Sequence, residues 1–149
     1  MRTINKIVIH NACTPEGKYF DIDDIRRWHT SRPPEGRGWS DVGYHYVVLL
    51  DGTIQLGRML NVPGAHVGGH NSQSVGICYI GGMTADMKTP KDTRTVEQKS
   101  SIAHLLYTLK RSFNDAEIVG HCDLDPKGKP DCPGFDAKKE YETIKFKDE

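Results

Sequence analysis

"YHYVVLLDGTIQLGRM", residues 44–59, decides the fold. Asp51-Gly52 stands between two runs rich in β-branched, aromatic and long apolar residues, which is how a β-hairpin and its turn read in sequence. Downstream, the Gly-rich "NVPGAHVGGHNSQ" (61–73) reads as loop and "SVGICYIGG" (74–82) as a buried strand. Gly76 inside that strand marks a close backbone approach. Thr95 with Gln98 three residues on forms a capping box. Behind it Ile102, Leu105, Leu106 and Leu109 follow the i, i+3, i+4, i+7 spacing of a core helix. "EIVGH" (117–121) reads as a last strand and "FDAKKEYETIKF" (135–146) as a terminal helix.

Upstream of the hairpin, "KIVIH" (6–10) is a short apolar run suited to a buried strand. "DIDDIRRWHTS" (21–31) opens with acidic residues, as helix N-termini favour, and repeats Ile22, Ile25, Trp28 on one face. "RPPEGRGWSDVG" (32–43) must be loop. The order β, α, β-hairpin, β, α, β, α gives an α/β chain with a central sheet covered by helices.

A chain of 149 residues is expected to form one domain, residues 1–149, with no linker, internal repeat or separate binding domain. Twenty Lys and Arg balance twenty Asp and Glu, so no basic field attracts nucleic acid or anionic membrane. No 18-residue apolar stretch spans a bilayer. "MRTINKIVIHN" (1–11) has too short an apolar run for a secretory signal, so the chain is expected to be cytosolic as synthesised. In that reducing compartment Cys13, Cys78, Cys122 and Cys132 read as free or metal-bound thiols rather than disulfides.

"GHCDLDPKGKPDCPGFD" (120–136) raises the question of a metal. His10 ends the first strand, His121 ends the last, and Cys132 lies in the loop that follows. Strand ends at one edge of a sheet can converge, and two imidazoles with one thiolate suit zinc, leaving a fourth tetrahedral position for water. The same residues have plain structural readings: a buried His10 bonded to a carbonyl, a strand-end His121, a small apolar Cys132. A closed structural site that also draws on Cys13 or Cys122 is a third reading, weakened because neighbours in a strand point to opposite faces.

Taken together, "KIVIH", "IRRWHTSRPPEGRGWSDVGYHYVVLLDGTIQLGR", "GAHVGGHNSQSVGICYIGG" and "GHCDLDPKGKPDCPGFD" occur in an order that resembles the zinc-dependent type-2 N-acetylmuramoyl-L-alanine amidases. The likeness is greatest to the phage lysozymes that are amidases, relatives of the peptidoglycan recognition proteins, and covers Lys6 to Asp136. It implies a mixed central sheet with flanking helices and one zinc ion held by His10, His121 and Cys132, with water in the open position. It further implies an active-site Tyr at Tyr44 and a groove-lining, substrate-binding His at His66. The usual catalytic Lys would fall on Pro130; Lys129 stands next to it and takes the role, with Lys127 the alternative. The implied reaction cleaves the amide between N-acetylmuramic acid and L-alanine of the peptidoglycan stem, as a phage or prophage lysis enzyme would. The shifted Lys keeps a rival open, a module that binds peptidoglycan without cutting it. Asp123, Asp125 and Asp131 read as turn-formers, His29, His45 and His104 as structural; His70 has no assigned role.

Overall fold

The computed structural model describes residues 2–145. Its strands are β1 (Lys6–Asn11), β2 (Thr14–Pro15), β3 (Tyr46–Val48), β4 (Ile54–Leu56), β5 (Ser74–Tyr79), β6 (Gly82–Met83) and β7 (Glu117–Gly120). Its helices are α1 (Ile22–Thr30), α2 (Val96–Ser112), α3 (His121–Leu124) and α4 (Ala137–Glu140). Five strands make one mixed sheet in the order β4-β3-β5-β1-β7, parallel except for edge strand β4. β2 and β6 add a small parallel pair that the sequence reading did not contain.

The hairpin forms where expected. Gly52 takes φ +88 in the turn, Asp51 accepts from the Thr53 N–H, and β3 pairs antiparallel with β4. Strand parity then divides the core. Ile7 and Ile9 of β1, and Val75, Ile77 and Tyr79 of β5, face α2 and meet Ile102, Leu105, Leu106 and Leu109. On the opposite face Val47 and Cys78 pack with Ile22 and Ile25 of α1, and Val8 with Val119 and Val67. His10 has the parity of Val8, so it points to the face away from α2.

Both long helices start as their sequences dictate. Thr95 and Gln98 form a reciprocal capping box on α2, and Asp21 with Asp24 does the same for α1. The terminal helix is a single turn within the described residues, and Phe146 lies outside them. His121 is not a strand residue. β7 stops at Gly120, whose N–H is held by the Asp123 carboxylate, and His121 opens α3.

The C-terminal segment is pinned by one cation. The Arg94 side chain, 1% exposed, bonds Asp92, Glu140 and the Tyr141 hydroxyl and stacks on the Phe135 ring at 3.3 Å. The Tyr79 hydroxyl donates to the Pro133 carbonyl, tying down the loop that carries Cys132. Hydrogen bonds from Arg94 hold Glu140 below its ordinary value of 4.5. Burial alone would raise Asp92, but its bonds to Arg94 outweigh that and leave it below 3.8. Both carboxylates have depressed folded-state values, so their contribution is complete above the ordinary range and is lost as pH falls through the lowered values. Arg94→Met is expected to destabilise the fold by about 2 kcal/mol at neutral pH, since Asp92 and Glu140 can rehydrate. Thermal melts between pH 7 and 2.5 should show that loss shrinking below about pH 4.

Candidate metal centre and groove

Parallel pairing of β1 with β7 sets Ile9 opposite Gly120, so the next residue of each, His10 and His121, emerges at the same edge. The turn into α3 swings His121 towards His10. Their Nδ1 atoms lie 3.1 Å apart and their ring centroids 4.6 Å apart. Cys132 completes the group: one ligand atom from each of the three residues lies within 4.8 Å of the others. Two nitrogens bound to one tetrahedral zinc at about 2.0–2.1 Å sit about 3.3 Å apart. The donor set and spacing therefore fit such an ion. Cys13 and Cys122 are not part of the group, as expected for an open rather than a closed site.

Burial favours the neutral form of all three side chains. Burial, then the neighbouring charges of His66, His121 and Lys129, pushes His10 well below 6.5. Burial and Lys129 lower His121. Burial pushes the Cys132 thiol up to about 12, against the opposing pull of the Asn11 N–H, 3.3 Å from Sγ, and of Lys129. Ligation must therefore displace a proton from the thiol.

The cluster lies in a groove of about 800 Å³ whose walls include Trp28, His29, Arg37 and Trp39. Loop 32–43 brings the last two, with Arg37 stacked over the Trp39 ring at 5.0 Å. Tyr44 precedes β3 and sets its ring 5.0 Å from that of His10. Burial, reinforced by the neighbouring thiols of Cys78 and Cys132, pushes its phenol well above 10. Lys129 lines the groove, and its charge is felt by His10, His121 and Cys132; Lys127 does neither.

Two further histidines hold backbone groups in place. His29 Nδ1 accepts from the Gly43 N–H, and His45 Nδ1 accepts from the Gly76 N–H. Asp123 and Asp125 bond the N–H groups of Gly120 and Gly128, as turn-formers do. His66 is 9% exposed and bonds His10 Nε2 from its Nδ1 at 2.8 Å. The close approach read at Gly76 is real, but its neighbour is this imidazole: a Cβ there would lie 2.8 Å from the His66 ring. Ser74, Trp39 and Arg37 were not singled out from sequence, and Cys78 was read only as a free or metal-bound thiol. Cys78 and Ser74 share strand parity with Gly76, the one signal that could have placed them on the groove face.

The N-acetylmuramoyl-L-alanine amidase model known as Amidase_2 matches residues 1–135. The chain belongs to this family. It is 36% identical over 138 residues to the endolysin of Klebsiella phage KP32, covering 93% of this chain and 85% of the relative. It is 35% identical over 137 residues to the endolysin of Escherichia phage T7, covering 91% and 84%. The amidase LysC of Clostridium intestinale superposes with a TM-score of 0.74 at 28% identity, covering 93% of this chain and 82% of that one. Drosophila PGRP-LB superposes at 0.72 and 26% identity, covering 96% and 82%.

Titrated with zinc in weak buffer, the metal-free chain is expected to take up one ion and release about one proton at pH 7. Cys132→Ala should lose tight uptake yet keep its circular dichroism spectrum and its melting temperature in chelator, because an open site is not what holds the core together.

Proposed function

We propose that this member of the amidase family hydrolyses the amide between N-acetylmuramic acid and L-alanine, using His10, His121 and Cys132 to hold zinc. The observation that carries the reading is the convergence of those three donors in a groove that also presents Tyr44 and Lys129. The relatives named as endolysins support cell-wall peptidoglycan as the substrate and phage-type lysis as the setting.

One thiolate and two neutral imidazoles leave a net positive charge on a bound zinc, which polarises a carbonyl and brings the pKa of water near 7. The chain's own residues do the rest. In the overall reaction the amide C–N bond breaks, the hydroxyl of water goes to the lactyl carbonyl carbon, and a proton goes to the alanine nitrogen. Tyr44 is a neutral phenol at pH 7, since its pKa lies above 10. It therefore acts by hydrogen bonding: it orients the amide and can pass a proton at its hydroxyl, but it is no free base. Lys129 stands on the exposed side of the groove as an ammonium positioned to stabilise charge developing on the carbonyl oxygen. Lys129 N–H donates to the Asp125 carbonyl, and Lys129 is among the residues that line the groove, which supports this role.

Digestion of purified peptidoglycan, followed by mass spectrometry, should release stem peptides with a free L-alanine amine and leave the glycan uncut. Appearance of new glycan reducing ends with no freed stems would reject the reading. Binding without any release would favour the non-cutting module. Lys129→Met is expected to lower kcat by about 10²–10³-fold, whereas Lys127→Met changes it less than about twofold. Tyr44→Phe should lower kcat by about 10²-fold or more with little change in KM.

A further inference from the structure

The structure holds a buried hydrogen-bond chain that the amidase reaction does not itself require. His10 Nε2 lies 2.8 Å from His66 Nδ1, and His66 Nε2 lies 3.1 Å from Ser74 Oγ. His10 is 1% exposed, His66 9% and Ser74 not at all. We infer that Ser74 and His66 form a positioning relay that fixes the ring and tautomer of His10 so that its Nδ1 is presented to the metal. This inference rests on the zinc reading above.

The assignment follows from the inventory of donors. Nδ1 of His10 faces His121 Nδ1 at 3.1 Å, so it is the nitrogen available to an ion shared with His121. A ligand nitrogen must offer a lone pair, so the ring proton of a neutral His10 sits on Nε2. Nε2–H then donates to His66 Nδ1. With Nδ1 accepting, the proton of a neutral His66 sits on Nε2 and donates to Ser74 Oγ. Each step leaves one outcome for the next, and the chain ends on a hydroxyl that can accept. A ligand imidazole whose second nitrogen is so held cannot rotate without breaking a buried bond.

The fold reserves space for this ring. Gly76 lies on the groove face of β5 between Ser74 and Cys78, and paired with Val8 of β1. A Cβ at Gly76 would meet His66 at 2.8 Å, and one at Gly64 would meet the His66 ring at 2.7 Å. The two missing side chains make the slot in which the imidazole stands. The backbone at His66 is fixed as well, since Asn71 Oδ1 accepts from the N–H groups of both His66 and Val67 at 2.9 Å. With both nitrogens bonded inside the protein, His66 has no free polar atom for the substrate, although its edge borders the groove. It is therefore a positioning residue rather than a catalytic one.

The test measures metal binding apart from hydrolysis. Zinc affinity of the wild type and of His66→Leu, His66→Gln and Ser74→Ala is determined by competition with a chromophoric chelator. Cobalt is then loaded in place of zinc and its d–d and thiolate charge-transfer bands recorded. His66→Leu is expected to weaken zinc binding by 10–100-fold and to shift the cobalt bands. His66→Gln keeps an acceptor for His10 and a donor for Ser74, and should recover at least half of that loss on a logarithmic scale. Ser74→Ala, which touches neither the ion nor His10, should weaken binding by about three- to tenfold, on the scale of one neutral hydrogen bond. Melting of each variant in chelator checks that the metal-free fold is intact. Unchanged zinc affinity and cobalt spectra in both His66→Leu and Ser74→Ala overturn the relay. So does a His66→Leu variant whose only defect is a raised KM for muropeptides, which would make His66 a direct substrate contact. If the wild type binds zinc as described but frees no stem peptide, the proposed reaction fails while the relay stands.

Discussion

The parallel pairing of β1 with β7 is the interaction on which the site depends. Ile9 lies opposite Gly120, and the next residue on each side is a histidine. Residues 111 positions apart thereby come within hydrogen-bond distance without either side chain having to reach. Hydrophobic burial enforces the register. Ile7 and Ile9 must face α2, which sends Val8 and His10 to the other face; a slip of one residue would exchange them and bury an imidazole among Ile and Leu side chains. The candidate metal centre is in this sense a by-product of correct core packing.

The same parity rule makes room beneath the groove. On β5 the residues facing α2 are large, Val75, Ile77 and Tyr79, while those on the opposite, His10 side of the sheet are small, Ser74, Gly76 and Cys78. Small residues there leave room for the imidazole of His66 and the phenol of Tyr44 to stand against the sheet beside His10. The third candidate ligand arrives differently. Cys132 lies on a loop with little regular structure, and it is placed by the Tyr79–Pro133 bond, by the Cys122 N–H donating to its carbonyl, and by the Arg94 strut beyond. Two candidate ligands thus sit at the rigid edge of a sheet and one on a segment tied down by polar contacts.

Much of this was legible in the sequence because local rules and global fold agree. The hairpin, both capped helices and the strands around His10 and Gly76 follow from turn chemistry, capping pairs and apolar spacing. His10 and His121, read as strand ends, and Cys132, read in the loop that follows, were candidates before the family resemblance implied them as ligands, and the structure brings them together. What sequence could not supply was pairing partners. Nothing local says that the first strand lies between the third of the hairpin-linked set and the last, nor that two-residue strands pair beside them. His121 read as a strand end because "EIVGH" is continuous in character, yet the chain turns one residue earlier, where Asp123 captures the Gly120 N–H. Gly76 signalled close approach but not of what. His66 supplies that neighbour, and it arrives from a Gly-rich loop whose path no periodicity encodes.

The proposed centre is one metal ion held by His10, His121 and Cys132 with a coordination position left over. X-ray absorption at the zinc edge of the loaded protein tests it most directly. The predicted result is one sulfur at about 2.3 Å, two imidazole nitrogens at about 2.0–2.1 Å and one further light atom from solvent. Two or more sulfurs in the coordination sphere, or a spectrum matching hydrated zinc with no sulfur at all, would contradict it.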